Sequence, residues 1–358
     1  MPINGRLEPG ERRSAGAAPQ RRVQQDWPPD RDFRILALDG GGIRGVFPAT
    51  VLAELERRYT AGVSVADHFD LIAGTSTGGI LALGLGAGHT ATYLRDLYVN
   101  RGAEVFPSLP DNFIGTLQGA WRNVTHYLRR RCDRAALERL LADTLGHRLF
   151  GESRTRLCIP AFEGRHSEVF VYKTPHHPDY KTDRHERMVN IALATSAAPS
   201  YYRPLEQGGY LLLDGGVWVN NPTMLAVIEA LTCFHLDPAR VKVLSLGCGD
   251  DPYVVSPWQM GLGGLFFWKD AIFAAMRLQS LAATNQARLL LGPPSVVRID
   301  APTNERKIAL DDWRRAVDEL VPAGVAAADE NGDQIAAMFL REPAAPYDPA
   351  PDEENLTA

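Results

Sequence analysis

Cysteine is scarce. Cys132, Cys158, Cys233 and Cys248 are the only four in 358 residues, and no two stand in a CxxC pair. Zinc-ribbon and disulfide-framework readings are therefore poor, and a reducing compartment is the expectation. A basic excess is missing too. The chain has 38 Lys+Arg against 43 Asp+Glu, a formal net charge of −5 and a pI near 6.0, whereas a general nucleic-acid binder needs a net basic footprint. No apolar run resembles a membrane span. The longest stretch free of Asp, Glu, Lys and Arg, Leu71 to Leu94, holds Gly74, Gly78, Gly79, Gly84, Gly86 and Gly88 besides Ser76 and several threonines. A helix of that composition is weak and leaves polar surface in hydrocarbon. The first 31 residues carry Arg6, Arg12, Arg13, Arg21 and Arg22 but no apolar h-region, so no secretory signal is expected and the chain is placed in the cytoplasm.

What is present is an ordinary globular composition, 45% hydrophobic, in a chain long enough to bury roughly three quarters of its unfolded surface without staples. Residues 1–31 and 342–358, rich in Pro with Arg and Gln or with acid, are expected as disordered tails around a single domain, 32–341. Within it, apolar strand-like runs alternate with helical patterns. The strands are expected at Arg34–Asp39, His68–Gly74, Thr155–Phe162, Glu168–Tyr172, Tyr210–Asp214 and Val241–Leu246. The helices are expected at Phe47–Tyr59, Ile80–Leu85, Arg134–Leu145, Met188–Thr195 and Pro222–Leu231. Alternation of this kind implies an α/β fold, a mostly parallel sheet between helical layers, with ligands at the carboxyl ends of strands.

Three of those strand ends carry chemistry. Gly74-Thr75-Ser76-Thr77-Gly78 is a G-x-S-x-G between a strand and a helix. Its glycines permit a tight turn that holds the Ser76 hydroxyl clear of the backbone, beside a helix N-terminus able to stabilise negative charge. Ser76 thus reads as a nucleophile, the plainer alternative being a helix N-cap. Asp39-Gly40-Gly41-Gly42-Ile43-Arg44-Gly45 follows the first strand. It satisfies G-x-G-x-x-G, but a dinucleotide loop expects an acid at the end of the second strand, where the serine turn stands instead. An oxyanion hole using the N–H groups of Gly41 and Gly42 is the better reading, with Arg44 adding positive charge or binding a phosphate, or else bracing the loop through a salt bridge. The third end is Asp214-Gly215-Gly216. A serine hydrolase ordinarily takes its proton acceptor from a histidine downstream of the acid, yet only His235 follows Asp214, near a helix end. That leaves Asp214 as the base, its pKa raised by partial burial, against a capping role.

DGGGIRG, GTSTGG and DGG in this order resemble the patatin-like phospholipases, over about Phe33 to Asp312. The segments Ala192–Pro204 and Val219–Pro222 (VNNP) add to the likeness. The resemblance implies a three-layer α/β/α patatin-like fold and a Ser-Asp dyad of Ser76 and Asp214. It implies an oxyanion hole drawn from Gly40, Gly41, Gly42, Arg44 and Thr77, with Gly74 and Gly78 shaping the elbow. It also implies hydrolysis of membrane glycerophospholipid esters with no cofactor and no metal. The wording of DGGGIRGVFPATVLAELE, HFDLIAGTSTGGILALGLG and KTPHHPDY is similar to the CapV-type effectors of cyclic-oligonucleotide anti-phage (CBASS) systems. That branch implies activation by a cyclic di- or trinucleotide, peripheral action on the inner membrane, no nucleic-acid partner and a homo-oligomer.

Weaker features read as structural. Arg129–Arg131 is expected as a solvated basic face, with lipid phosphate or nucleotide as the alternative. His176 and His177 with Asp179 are expected in a surface or regulatory loop rather than at a metal. The aromatic segment Leu262–Leu278 is expected to pack in the core or at a subunit interface, or else to meet lipid.

Overall fold

The computed structural model describes residues 22–106, 134–199, 201–249, 271–302 and 308–351. Its strands are β1 Phe33–Leu38, β2 Leu71–Gly74, β3 Arg156–Glu163, β4 Glu168–Lys173, β5 Leu205–Gln207, β6 Tyr210–Asp214, β7 Val241–Leu246 and β8 Val296–Ile299. The helices that matter are α1 Val46–Tyr59, α2 Thr77–Gly86, α3 Ala91–Val105, α4 Arg134–Leu145, α5 Met188–Thr195, the short α6 Gly216–Val219, α7 Thr223–Cys233, α8 Ala271–Leu291 and α9 Val321–Ile335. The six expected strands and five expected helices are all present, with ends shifted by three residues or fewer. β5, β8, α3, α6, α8 and α9 add to them.

One sheet runs β5-β6-β3-β2-β1-β7-β8, with β4 on the other edge of β3. Its central strands, β3-β2-β1-β7-β8, are parallel, whereas β4, β5 and β6 pair antiparallel. Strand alternation divides the core between two faces. Leu36 and Leu38 of β1 face α1 and α2, while Phe33, Ile35 and Ala37 join the α7 and α8 side. The charge-free stretch from Leu71 becomes β2, the serine turn and α2, whose ten residues are all buried. Its lack of charge therefore reflects burial on every side rather than a membrane span. No helix among the described residues is long and apolar enough to cross a membrane.

The register of β3 decides where the site forms. Cys158 pairs with both Ala73 of β2 and Lys173 of β4, so those strands lie on opposite edges. β6 pairs with residues 161–163, which β4 also covers, so β6 shares the edge of β2. β2 and β6 thus approach along one edge of β3 from opposite directions, and their carboxyl ends meet.

Parts of the expected tails are tied to the domain. Trp27 packs at 4.7 Å on Phe33 and 5.5 Å on Phe234, and the Gln25 N–H donates to the Cys233 carbonyl. At the other end the Arg34 guanidinium donates to the carbonyls of Phe339 and Glu342, and the Arg156 guanidinium lies 5.1 Å over the Tyr347 ring. These contacts rest on isolated aromatics and buried arginines, which make no periodic pattern. The Arg129–Arg131 cluster and residues 262–270 of the aromatic segment lie outside the described residues.

Candidate active site

Ser76 caps the N-terminus of α2 with φ +55° and ψ −121°, a strained conformation for a residue with a Cβ. Its surroundings enforce it. A Cβ on Gly74 would overlap the Gly78 backbone, and one on Gly78 would overlap the carbonyl ends of Leu38 and Asp39, so only glycines let β1, the turn and α2 come this close. The Ser76 hydroxyl donates to Asp214 Oδ2 at 2.6 Å, and the Gly216 N–H donates to Oδ1 at 2.7 Å. Both residues are over nine-tenths buried, Ser76 8% and Asp214 5% exposed. Burial raises the Asp214 pKa from 3.8 to about 6, partly offset by the Ser76 and Gly216 hydrogen bonds.

The glycine loop lies alongside, but its donors are not all available. The Gly40 N–H donates to the Asn220 carbonyl at 3.1 Å and the Gly41 N–H to Thr77 Oγ1 at 3.2 Å. Gly42, held at φ +58°, and Thr77 present backbone N–H groups with no protein acceptor among the described residues. Arg44 donates to the Gly249 carbonyl at 2.8 Å, a contact that braces the loop.

Two further residues hold the arrangement. Thr195 Oγ1 accepts from the Ser76 N–H at 3.0 Å and donates to the Pro160 carbonyl at 2.6 Å, anchoring the serine turn to β3. Asn220, 6% exposed, holds Gly40 through its carbonyl, and its Oδ1 lies against the spaces that side chains would fill on Gly40 and Gly216. Both fall in segments that carry the family likeness. Their own residue types signal nothing.

His235 is exposed two residues beyond α7, away from the dyad. His176 and His177, expected in a surface or regulatory loop, are not at the surface but buried, 4% and 2% exposed. His176 bridges Thr174 and Glu229, and His177 contacts the Val23 carbonyl. Hydrogen bonds to Glu229 of α7 and to residues 23–25 satisfy the polar groups of the PHHP loop, so it can be buried. Cys158, His176 and Glu229 bring ligand-type atoms within 4.8 Å of one another. Glu229, however, already accepts from Lys173 Nζ at 2.5 Å and from Tyr180, and Cys233 Sγ donates to it at 3.2 Å. Burial would raise its pKa, but His176 and Lys173 hold it well below the usual carboxylate range. A carboxylate neutralised by an ammonium group is a poor cation ligand.

The model of the patatin-like phospholipase family matches residues 36–227, a span that contains the glycine loop, the serine turn, Thr195, Asp214 and Asn220. A cGAMP-activated phospholipase of Pseudomonas aeruginosa is 38% identical over 220 residues, 60% of this chain and 62% of that protein. One from Vibrio cholerae is 34% identical over 239 residues, 63% of this chain and 66% of that protein. The match thus spans under two thirds of either relative's length. Among solved structures, VipD from Legionella pneumophila overlays 84% of this chain and 67% of its own at 13% identity and a TM-score of 0.43, too loose to carry an argument. With its family model covering more than half of its length, the chain belongs to the patatin-like phospholipases.

Proposed function

We propose that this chain is a serine acyl hydrolase of phospholipase A type. In this reading it cleaves membrane glycerophospholipid esters with Ser76 as nucleophile and Asp214 as its base. The observation that carries the reading is the 2.6 Å hydrogen bond from the strained Ser76 hydroxyl to a buried carboxylate. As Oγ attacks the ester carbonyl, Asp214 takes its proton. The tetrahedral oxyanion is stabilised by the N–H groups of Gly42 and Thr77, and by that of Gly41 once it exchanges its 3.2 Å bond to Thr77 Oγ1 for a stronger, charge-assisted one. Collapse expels the lysophospholipid alkoxide, which recovers the proton from Asp214. Water then attacks the acyl-enzyme, again giving its proton to Asp214; collapse breaks the bond to Ser76 Oγ, which recovers that proton, and the fatty acid leaves. A base with a pKa near 6 is ionised at neutral pH yet basic enough to share the proton in the transition state.

A non-hydrolytic phosphate cradle is disfavoured, because it leaves the strained serine and its buried carboxylate partner without a role. The relatives' names support control by a cyclic di- or trinucleotide, with the active form working peripherally at the membrane as a homo-oligomer. The test is fatty-acid release from phospholipid vesicles against a panel of cyclic di- and trinucleotides. The expected result is release by wild type, stimulated by one nucleotide and absent in Ser76→Ala. Equal release by Ser76→Ala would sink the dyad, and full activity indifferent to the whole panel would sink the regulation.

A further inference from the structure

The end of β1 is held by a polar clamp that the dyad chemistry does not use. Asp39, 2% exposed, directly precedes the glycine loop. Arg298 of β8 reaches over β7 and donates to it bidentately, Nη1 to Oδ1 at 2.9 Å and Nη2 to Oδ2 at 2.7 Å. On the way Nη1 also donates to Ser245 Oγ at 2.8 Å, and the outer side of the guanidinium is paired with Asp300. The crossing is possible because residue 247 of the intervening strand end is glycine, where a Cβ would overlap both Arg298 Nη2 and Asp300 Oδ1. The Ser280 hydroxyl of α8 also donates to Asp39 Oδ2 at 3.3 Å.

This clamp reaches three segments that build the site. Through Asp39 it fixes the first residue of the glycine loop. Thr223 Oγ1 donates to Ser245 Oγ at 2.9 Å, and Asn221 Nδ2 donates to the Ser280 carbonyl at 3.2 Å, so it also reaches the turn after Asp214. The Leu38 and Asp39 carbonyls in turn abut Gly78 in the first turn of α2. Where Asp39 sits therefore sets the distance between the Gly42 N–H on one side of the oxyanion and the Thr77 N–H on the other. A bidentate guanidinium–carboxylate pair defines that position in direction as well as distance, which an ammonium group cannot do.

We propose that Arg298 is a positioning residue for hydrolysis, acting through Asp39 to hold the oxyanion donors at transition-state spacing. The inference rests on the acyl-hydrolase reading above. Displacement of such donors by about 1 Å costs on the order of 10²-fold in rate. The test compares wild type, Arg298→Lys and Gly247→Ala on a p-nitrophenyl ester under the conditions where wild type is most active. A fluorophosphonate probe counts the sites with a reactive Ser76, and affinity for a trifluoromethyl ketone, which forms a tetrahedral adduct, is measured alongside. Arg298→Lys keeps the charge and loses the fork, whereas Gly247→Ala keeps Arg298 and blocks its path. Both are expected to lower kcat per labelled site about 10²-fold, with KM within about twofold. Affinity for the ketone should fall by the same factor. Unchanged kcat per labelled site, with only the labelled fraction reduced, would mean the clamp merely holds the fold and would overturn the proposal. A raised KM at constant kcat would overturn it too. Wild type that neither turns over the ester nor labels at Ser76 would overturn the hydrolase reading and this inference together.

Discussion

Replacing Asp214 by Asn removes a buried charge without changing the size of the side chain, and its effect on stability should change sign with pH. Burial raises this carboxyl from an ordinary 3.8 to about 6 in the folded protein. Below about pH 3 the group is protonated in both folded and unfolded chains and contributes no penalty. Between about pH 3 and 6 the unfolded chain ionises first, so the folded state binds the extra proton and loses stability as pH rises. Above about pH 6 the loss is complete, roughly two pKa units or about 3 kcal/mol. The Asn variant escapes that loss but cannot accept from both Ser76 and Gly216, since it keeps one acceptor oxygen where Asp214 has two. That costs it about 1 kcal/mol at every pH. The variant should therefore be less stable than wild type by about 0.5 kcal/mol at pH 4. It should be more stable by about 2 kcal/mol at pH 8, equivalent to some 3 °C in Tm for a chain of this size, with the crossover at about pH 4.5. Chemical denaturation and thermal scans of both proteins from pH 4 to 8 measure this directly. A stability difference that stays constant across the range would refute the argument that Asp214 is ionised at a desolvation cost.

The same pKa sets the activity profile: kcat/KM for ester hydrolysis should fall about tenfold per pH unit below pH 6, and a flat profile down to pH 5 would exclude Asp214 as the base. Ser76→Gly should abolish turnover yet leave stability within about 1 kcal/mol of wild type, because the strain relieved at φ +55° offsets the hydrogen bond lost to Asp214; a loss of about 2 kcal/mol or more would contradict the strain. Lys173→Met should destabilise the fold by about 3 kcal/mol by leaving Glu229 buried without its ammonium partner, read by urea unfolding at pH 7. Gly78→Ala should yield little folded protein, since its Cβ would overlap the carbonyls at the end of β1; soluble, labelled enzyme at wild-type yield would show that the elbow has slack.

What the sequence determines by itself is local. A glycine before and after Ser76, between an apolar strand and an apolar helix, admits few backbones, so the strained turn could be read without a partner in view. DGGG and DGG were likewise legible, because each marks a strand end where backbone must approach backbone. The charge-free stretch from Leu71 could be read only as not a membrane span; its burial on every face needs the layers on both sides of the sheet. Pairing between distant segments was not legible. Ser76 and Asp214 stand 138 residues apart and meet because β2 and β6 run toward each other along one edge of β3, a register carried by no local pattern. For the same reason the engagement of Gly40 by Asn220 and Gly41 by Thr77, the anchoring of Ser76 by Thr195, the burial of His176 and His177, and the reach of Arg298 across Gly247 to Asp39 appear only in three dimensions. Steric rules that act within five residues are written in residue types. Which donors remain open for an oxyanion is decided by partners that tertiary packing brings from elsewhere in the chain.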